Sequence, residues 1–150
     1  MSLSYRLEFI TLEDHPRRGV AFLISRDRKV TAKTFFDNLD RNSTTYRMLM
    51  TRFDAWRDGQ PNQNSRYHGW NQSEFGGKYT KCFVFKYKAQ RLYGFLYNPK
   101  PSDRSYQVCI VVKHAVKNKN ETDETDLKNV EEIRTTLDVQ RAINNYFKER

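Results

Sequence analysis

The sequence predicts an α+β domain: an N-terminal strand and a helical pair packed on a mainly antiparallel sheet of three to five strands, closed by a C-terminal helix. Three observations lead there. An aromatic stripe at helical spacing runs through residues 43–58, three alternating strand-like runs follow one another over 79–117, and a second apolar stripe begins near residue 126. A chain of 150 residues suits one domain, with 13–29 and 60–77 read as insertions or loops.

Residues 5–12 alternate Tyr5, Leu7 and Phe9 with Arg6, Glu8 and Ile10, as an edge strand does. His15-Pro16-Arg17-Arg18-Gly19 predicts a turn, because proline removes a ladder donor and glycine permits positive φ. Residues 20–24 (VAFLI) are a short strand or a buried segment, and 25–29 a charged connector.

Residues 31–40 and 43–58 predict two helices, or one broken near Asn42, with Thr31 and Ser43 as N-caps. Tyr46, Leu49, Met50, Phe53 and Trp56 form the apolar face of the second, and Asp58-Gly59 with Pro61 behind stops it. Such a stripe belongs under the sheet as core. Residues 60–77 make a long polar loop, in which Tyr67, Trp70 and Phe75 pin the segment to the body or offer stacking surfaces; pinning is the expected role.

In the next run Phe83, Phe85 and Tyr87 share one face and Cys82, Val84, Lys86 and Lys88 the other. A turn is expected at Ala89-Gln90. Beyond it Arg91, Tyr93, Phe95 and Tyr97 alternate with Leu92, Gly94 and Leu96, and the alternation leaves open which set is buried. Pro99 and Pro101 end that strand. In the third, Val108, Ile110, Val112 and His114 are expected to face one way, with Cys109, Val111, Lys113 and Lys117 the other. Short connections imply an antiparallel meander. Thr125 or Asp126 caps a last helix running to about residue 148, with Leu127, Val130, Ile133, Leu137, Ile143, Tyr146 and Phe147 as its apolar face.

Charge is the functional clue. Residues 78–119 carry ten Lys/Arg against one acid, Asp103, so this stretch holds the whole formal +9 of the chain. Strand lysines often do no more than solvate a sheet or guard its edge. Nine excess charges in one segment point instead to a cationic face that attracts a polyanion, with RNA the expected target. No run approaches the length of a membrane helix, and the N-terminus lacks the apolar core of a signal peptide. Cys82 and Cys109 sit in apolar strands without a CxxC pattern, as buried free thiols of a soluble cytoplasmic protein. No His/Cys/Asp/Glu cluster has metal-ligand spacing, no Gly-rich phosphate loop is present, and no cofactor is implied. His114 shares its pattern with core positions, which makes a core-edge histidine the plainer reading; His15 and His68 read as surface residues.

The order strand, helical pair, basic three-stranded sheet and terminal helix resembles the RelE/HigB superfamily of bacterial or phage-derived type II toxins. The local likeness lies in FKYKAQRLYGFLYN and VCIVVKHAVKNKNET. It implies a RelE/ParE-like fold and a metal-independent endoribonuclease that cuts mRNA on the ribosome and is held inactive by a cognate antitoxin. On matched positions, Lys86 and Lys88 take the family's strand lysines, Arg91 its strand arginine, and Lys117 and Lys119 its basic turn. The resemblance implies Arg91 and Lys117 for transition-state charge, Lys86 as a base or phosphate clamp, and His114 as an acid/base. Lys81, Lys88, Lys113 and Lys119 are then the RNA-binding set. Where some members carry arginine after the last strand this chain has Asn118, and the family's C-terminal tyrosine has its loose counterpart in Tyr146. The alternatives are a non-catalytic nucleic-acid- or protein-binding module of the same fold, such as a gyrase-inhibiting ParE-like toxin, and a basic structural domain of a phage or mobile element.

Overall fold

A computed structural model describes residues 4–10, 18–59, 66–117 and 124–148. The expected turn at His15-Pro16 and the RNA-binding assignment of Lys119 lie outside those residues. Among the described residues six strands form one mixed sheet in the order β1-β2-β6-β5-β4-β3: β1 Arg6–Phe9, β2 Arg18–Ile24, β3 Tyr67–Gly69, β4 Cys82–Tyr87, β5 Gln90–Tyr97 and β6 Gln107–Val116. The sheet therefore exceeds the three to five strands expected. All pairings are antiparallel except β2 with β6, which run parallel from Arg18 opposite Gln107 to Phe22 opposite Val111.

Helices cover both faces. α1 (Ala32–Asp37) and α2 (Thr44–Arg57) pack on one, where Phe22, Phe36, Leu49, Phe53, Phe83, Phe85 and Val111 are buried together. Phe53 meets the Phe85 ring edge-on at 4.9 Å. α3 (Glu124–Thr135) and α4 (Leu137–Lys148) lie on the other, bringing Leu127, Val130, Ile133, Val139 and Ile143 against Ala21, Val84, Tyr93, Phe95 and Ile110. Double coverage explains the undecided reading of residues 20–24: a strand buried on both sides has no polar alternation to reveal its period. It also settles the parity left open in β5, since Tyr93 and Phe95 are core on the α3/α4 face while Leu92 is core on the α1/α2 face.

Ser43 caps α2 as expected, its hydroxyl accepting from the Tyr46 N–H at 3.2 Å. Thr31 does not cap α1; its Oγ1 accepts from the His114 N–H at 2.9 Å instead. The single C-terminal helix expected is two helices that break at Thr136, whose carbonyl takes the Gln140 N–H. The break turns Leu137 outward, 61% exposed, so it leaves the apolar face on which the periodicity had put it. The 60–77 stretch supplies edge strand β3 and a buried Trp70 stacked on Tyr93 at 6.4 Å, which is the pinning role expected of it.

Candidate functional site

Among the described residues the sheet presents no open cationic face, because helices pack on both sides. Five of the ten basic residues of 78–119, Lys86, Lys88, Arg91, Lys113 and Lys117, lie instead at one end of the sheet, around the β4–β5 hairpin. Tyr87 pairs with Gln90, so the turn residues are Lys88 and Ala89, one position earlier than expected. Lys88 adopts φ 51, a left-handed value that a lysine takes at some conformational cost. Arg91 Nη1 holds the turn by donating to the Lys88 and Gln90 carbonyls. From the other side Arg52 of α2 donates Nε to the Lys86 carbonyl at 2.6 Å and lies 5.2 Å from the Tyr87 ring centroid.

Lys86 and Arg91 are cross-strand partners, and Ala115 of β6 lies opposite Arg91 on its other side. Arg91 is only 5% exposed. Among the described residues neither cation has a carboxylate within ion-pair distance. Burial lowers the pKa of both groups, and the nearby Arg91 charge lowers that of Lys86 further.

Lys113 and Lys117 join this face through an irregularity that the alternating pattern hides. Tyr93 pairs with Lys113 but Gly94 with Val111, so Val112 is an extra residue in β6, a β-bulge. One inserted residue exchanges the faces of everything beyond it. Lys113 and Lys117 consequently turn to the α3/α4 face, where both reach the buried Asp126 carboxylate, at 2.7 and 2.8 Å. His114 turns to the opposite face, away from Val108, Ile110 and Val112, correcting the expected side of all three residues. Two features admit the bulge. A Cβ on Gly94 would stand 2.0 Å from the Ile110 carbonyl oxygen, and Thr31 satisfies the β6 edge by donating its N–H to the Val112 carbonyl while accepting from His114.

His114 is stacked on Phe35 with centroids 3.7 Å apart, and its Nε2 lies 2.6 Å from Gln90 Oε1. Desolvation lowers its pKa. Of the four residues assigned to catalysis, Lys86, Arg91 and Lys117 share a face and His114 does not. Of the RNA-binding set, Lys113 is on that face and Lys88 is at the adjacent tip. Lys81 is at the far end of the hairpin, where its carbonyl pairs with the Leu96 N–H, on the order of 15 Å from Lys86 along the strand. Tyr146 is also remote from the corner, stacked on Phe9 of β1 at 5.6 Å.

Sequence reasoning overlooked Asp126 as the counter-ion of two lysines, Arg52 as the brace of the hairpin, and His68. His68 of β3 pairs with Val84 of β4 and so faces the α3/α4 side beside Lys86; its side chain is 22% exposed and its Nε2 lies 3.2 Å from Glu74 Oε2. The alternation of Phe83, Val84 and Phe85 was visible, but nothing local announced a three-residue strand beside it. Among the described residues no group of three His, Cys, Asp or Glu side chains is arranged to hold a metal ion, and no helix is long and apolar enough to cross a membrane. No protein-family model, curated protein or solved structure matches the chain.

Proposed function

We propose that this protein is the toxin of a type II toxin–antitoxin system of the RelE/HigB kind, a ribosome-associated mRNA endoribonuclease whose charge stabilisation comes from lysine and arginine. One observation carries the reading: Lys86 faces Arg91 across the hairpin, with Lys113 and Lys117 on the same face. Cations placed side by side raise the energy of the free protein and are relieved by a bound anion. A phosphodiester brings one negative charge, and a second develops at its non-bridging oxygens as a 2′-oxygen attacks. Fixed cations in a partly dry corner answer that charge more strongly than cations in water.

The order of elements, with helices α1 and α2 between the first strands and the basic hairpin and a helical C-terminus, agrees with that reading. A cognate antitoxin would present acidic side chains to this corner and block it. Regulated expression in a bacterial host tests the proposal. Growth arrest with cut mRNA, abolished by Arg91→Ala and by Lys117→Ala, is the expected result. Intact mRNA during arrest would overturn it.

The second reading, a non-catalytic ParE-like binding module, is favoured by one fact. Arg91 already spends Nη1 on two turn carbonyls, which is what a purely structural arginine does. Arrest with DNA damage and intact mRNA would select it.

A further inference from the structure

We infer that His68, oriented by Glu74, is the proton-transfer group of this corner. The inference rests on the ribonuclease reading and replaces its acid/base. His114 is held between Phe35 and Gln90 on the wrong face, whereas His68 stands on the face of Lys86 and Arg91. His68 is opposite Val84, so Lys86, two residues on, is its diagonal neighbour at roughly 7–8 Å.

The imidazole is held on two sides. Its Nε2 lies 3.2 Å from Glu74 Oε2, and the Trp70 ring meets it edge-on at 4.7 Å. Glu74 is fixed in turn, its Oε1 accepting the Asn71 N–H at 3.1 Å, and Trp70 is buried against Tyr93. With Nε2–H donating to the carboxylate, the lone pair lies on Nδ1, for which no partner occurs among the described residues. A carboxylate behind an imidazole fixes its tautomer and ring orientation. Glu74 of the following loop meets the imidazole, Lys86 of β4 is its diagonal neighbour, and Arg66, two residues before His68, accepts the Lys86 N–H through its carbonyl. His68 stands on β3, the outermost strand in the sheet order.

The step balances without a further reactant. His68 Nδ1 takes the proton of the 2′-hydroxyl, the 2′-oxygen bonds to phosphorus, and the bond from phosphorus to the 5′-oxygen breaks. The leaving 5′-oxygen receives a proton from the Lys86 ammonium, which burial makes a readier acid than a free lysine. Arg91 offsets the added charge on the non-bridging oxygens. The products are a 2′,3′-cyclic phosphate and a 5′-hydroxyl, and solvent restores both protons.

The test compares the wild type with His68→Ala, His68→Gln, Glu74→Gln and Arg91→Ala. A fluorescein-labelled single-stranded RNA is offered free and as message on programmed ribosomes; binding is followed by anisotropy and cleavage by single-turnover rate against pH. Both His68 variants should bind the RNA within about twofold of wild type and cleave at least about 100-fold more slowly. Glu74→Gln should bind the RNA as wild type does and slow cleavage by roughly 10-fold. Fragments should end in a cyclic phosphate, and an RNA with a 2′-deoxy linkage should resist. Should His68→Ala unfold, His68→Gln, which keeps a donor toward Glu74, decides. Wild-type rates in His68→Gln alongside loss in Arg91→Ala would overturn the assignment and leave the ribonuclease reading standing. A wild type that cleaves neither free nor ribosome-bound RNA would remove that reading and this inference with it.

Discussion

Lys86 and Arg91 stand directly opposite each other across the β4–β5 hairpin, two like charges at a cross-strand position where opposite charges are the stabilising choice. No carboxylate among the described residues pairs with either group, and only turn carbonyls accept from Arg91. On the reading proposed above, a polyanion relieves the repulsion. Lys86→Gln should therefore raise stability by a few tenths of a kcal/mol to about 1 kcal/mol and weaken RNA binding. The slope of log K against log salt should fall by about one. Thermal melts and anisotropy titrations at several salt concentrations check both; unchanged binding would separate this pair from the polyanion.

Gly94 is where the bulge becomes feasible. An added methyl would meet the Ile110 carbonyl oxygen at 2.0 Å and Phe83 Cζ at 2.6 Å, and the first of these is backbone inside a sheet. Gly94→Ala should cost about 3 kcal/mol or more, read from a urea midpoint. A neutral result would mean that the bulge relaxes far more easily than its surroundings allow.

Asp126 is buried and serves Lys113 and Lys117 together. Removing it strands two cations against α3. Asp126→Asn should destabilise by about 1–3 kcal/mol, less than for a sealed pair because both lysines are partly exposed. Lys113→Met in the same background should recover part of the loss in a double-mutant cycle. An additive cycle would remove the coupling.

Burial lowers the His114 pKa below its ordinary 6.5, so the folded state resists protonation that the unfolded chain accepts. Between 6.5 and the lower folded value the unfolded state holds more protons, and stability falls as pH falls through that window. His114→Gln, which can still meet Gln90, should flatten this part of the stability–pH curve while RNA cleavage near neutrality persists. Loss of cleavage would restore His114 to the chemistry.

Cys82 and Cys109 are buried on opposite faces of the sheet, and burial raises both thiol pKa values. The folded protein should leave a thiol reagent unconsumed at pH near 8, and both groups should react when denaturant is added. Rapid reaction of either thiol in the native state would contradict the packing described.

By itself the sequence determined the elements whose signals are local. The stripe from Tyr46 to Trp56 made a helix, Ser43 capped it, the alternation from Cys82 to Tyr87 assigned faces correctly, and the excess charge of 78–119 was plain from composition. Tertiary structure alone decided the rest. Residues 20–24 became a central strand because helices cover both faces, and burial on two sides erases the periodicity a reader relies on. His114, Lys113 and Lys117 changed sides because Val112 bulges, an event set by Gly94 against Ile110 and by the distant Thr31. His68 came onto the face of Lys86 through the pairing of β3 with β4. Side-chain period is a local property, but register and sheet order depend on contacts between residues far apart in the chain, and those are fixed only when the chain folds.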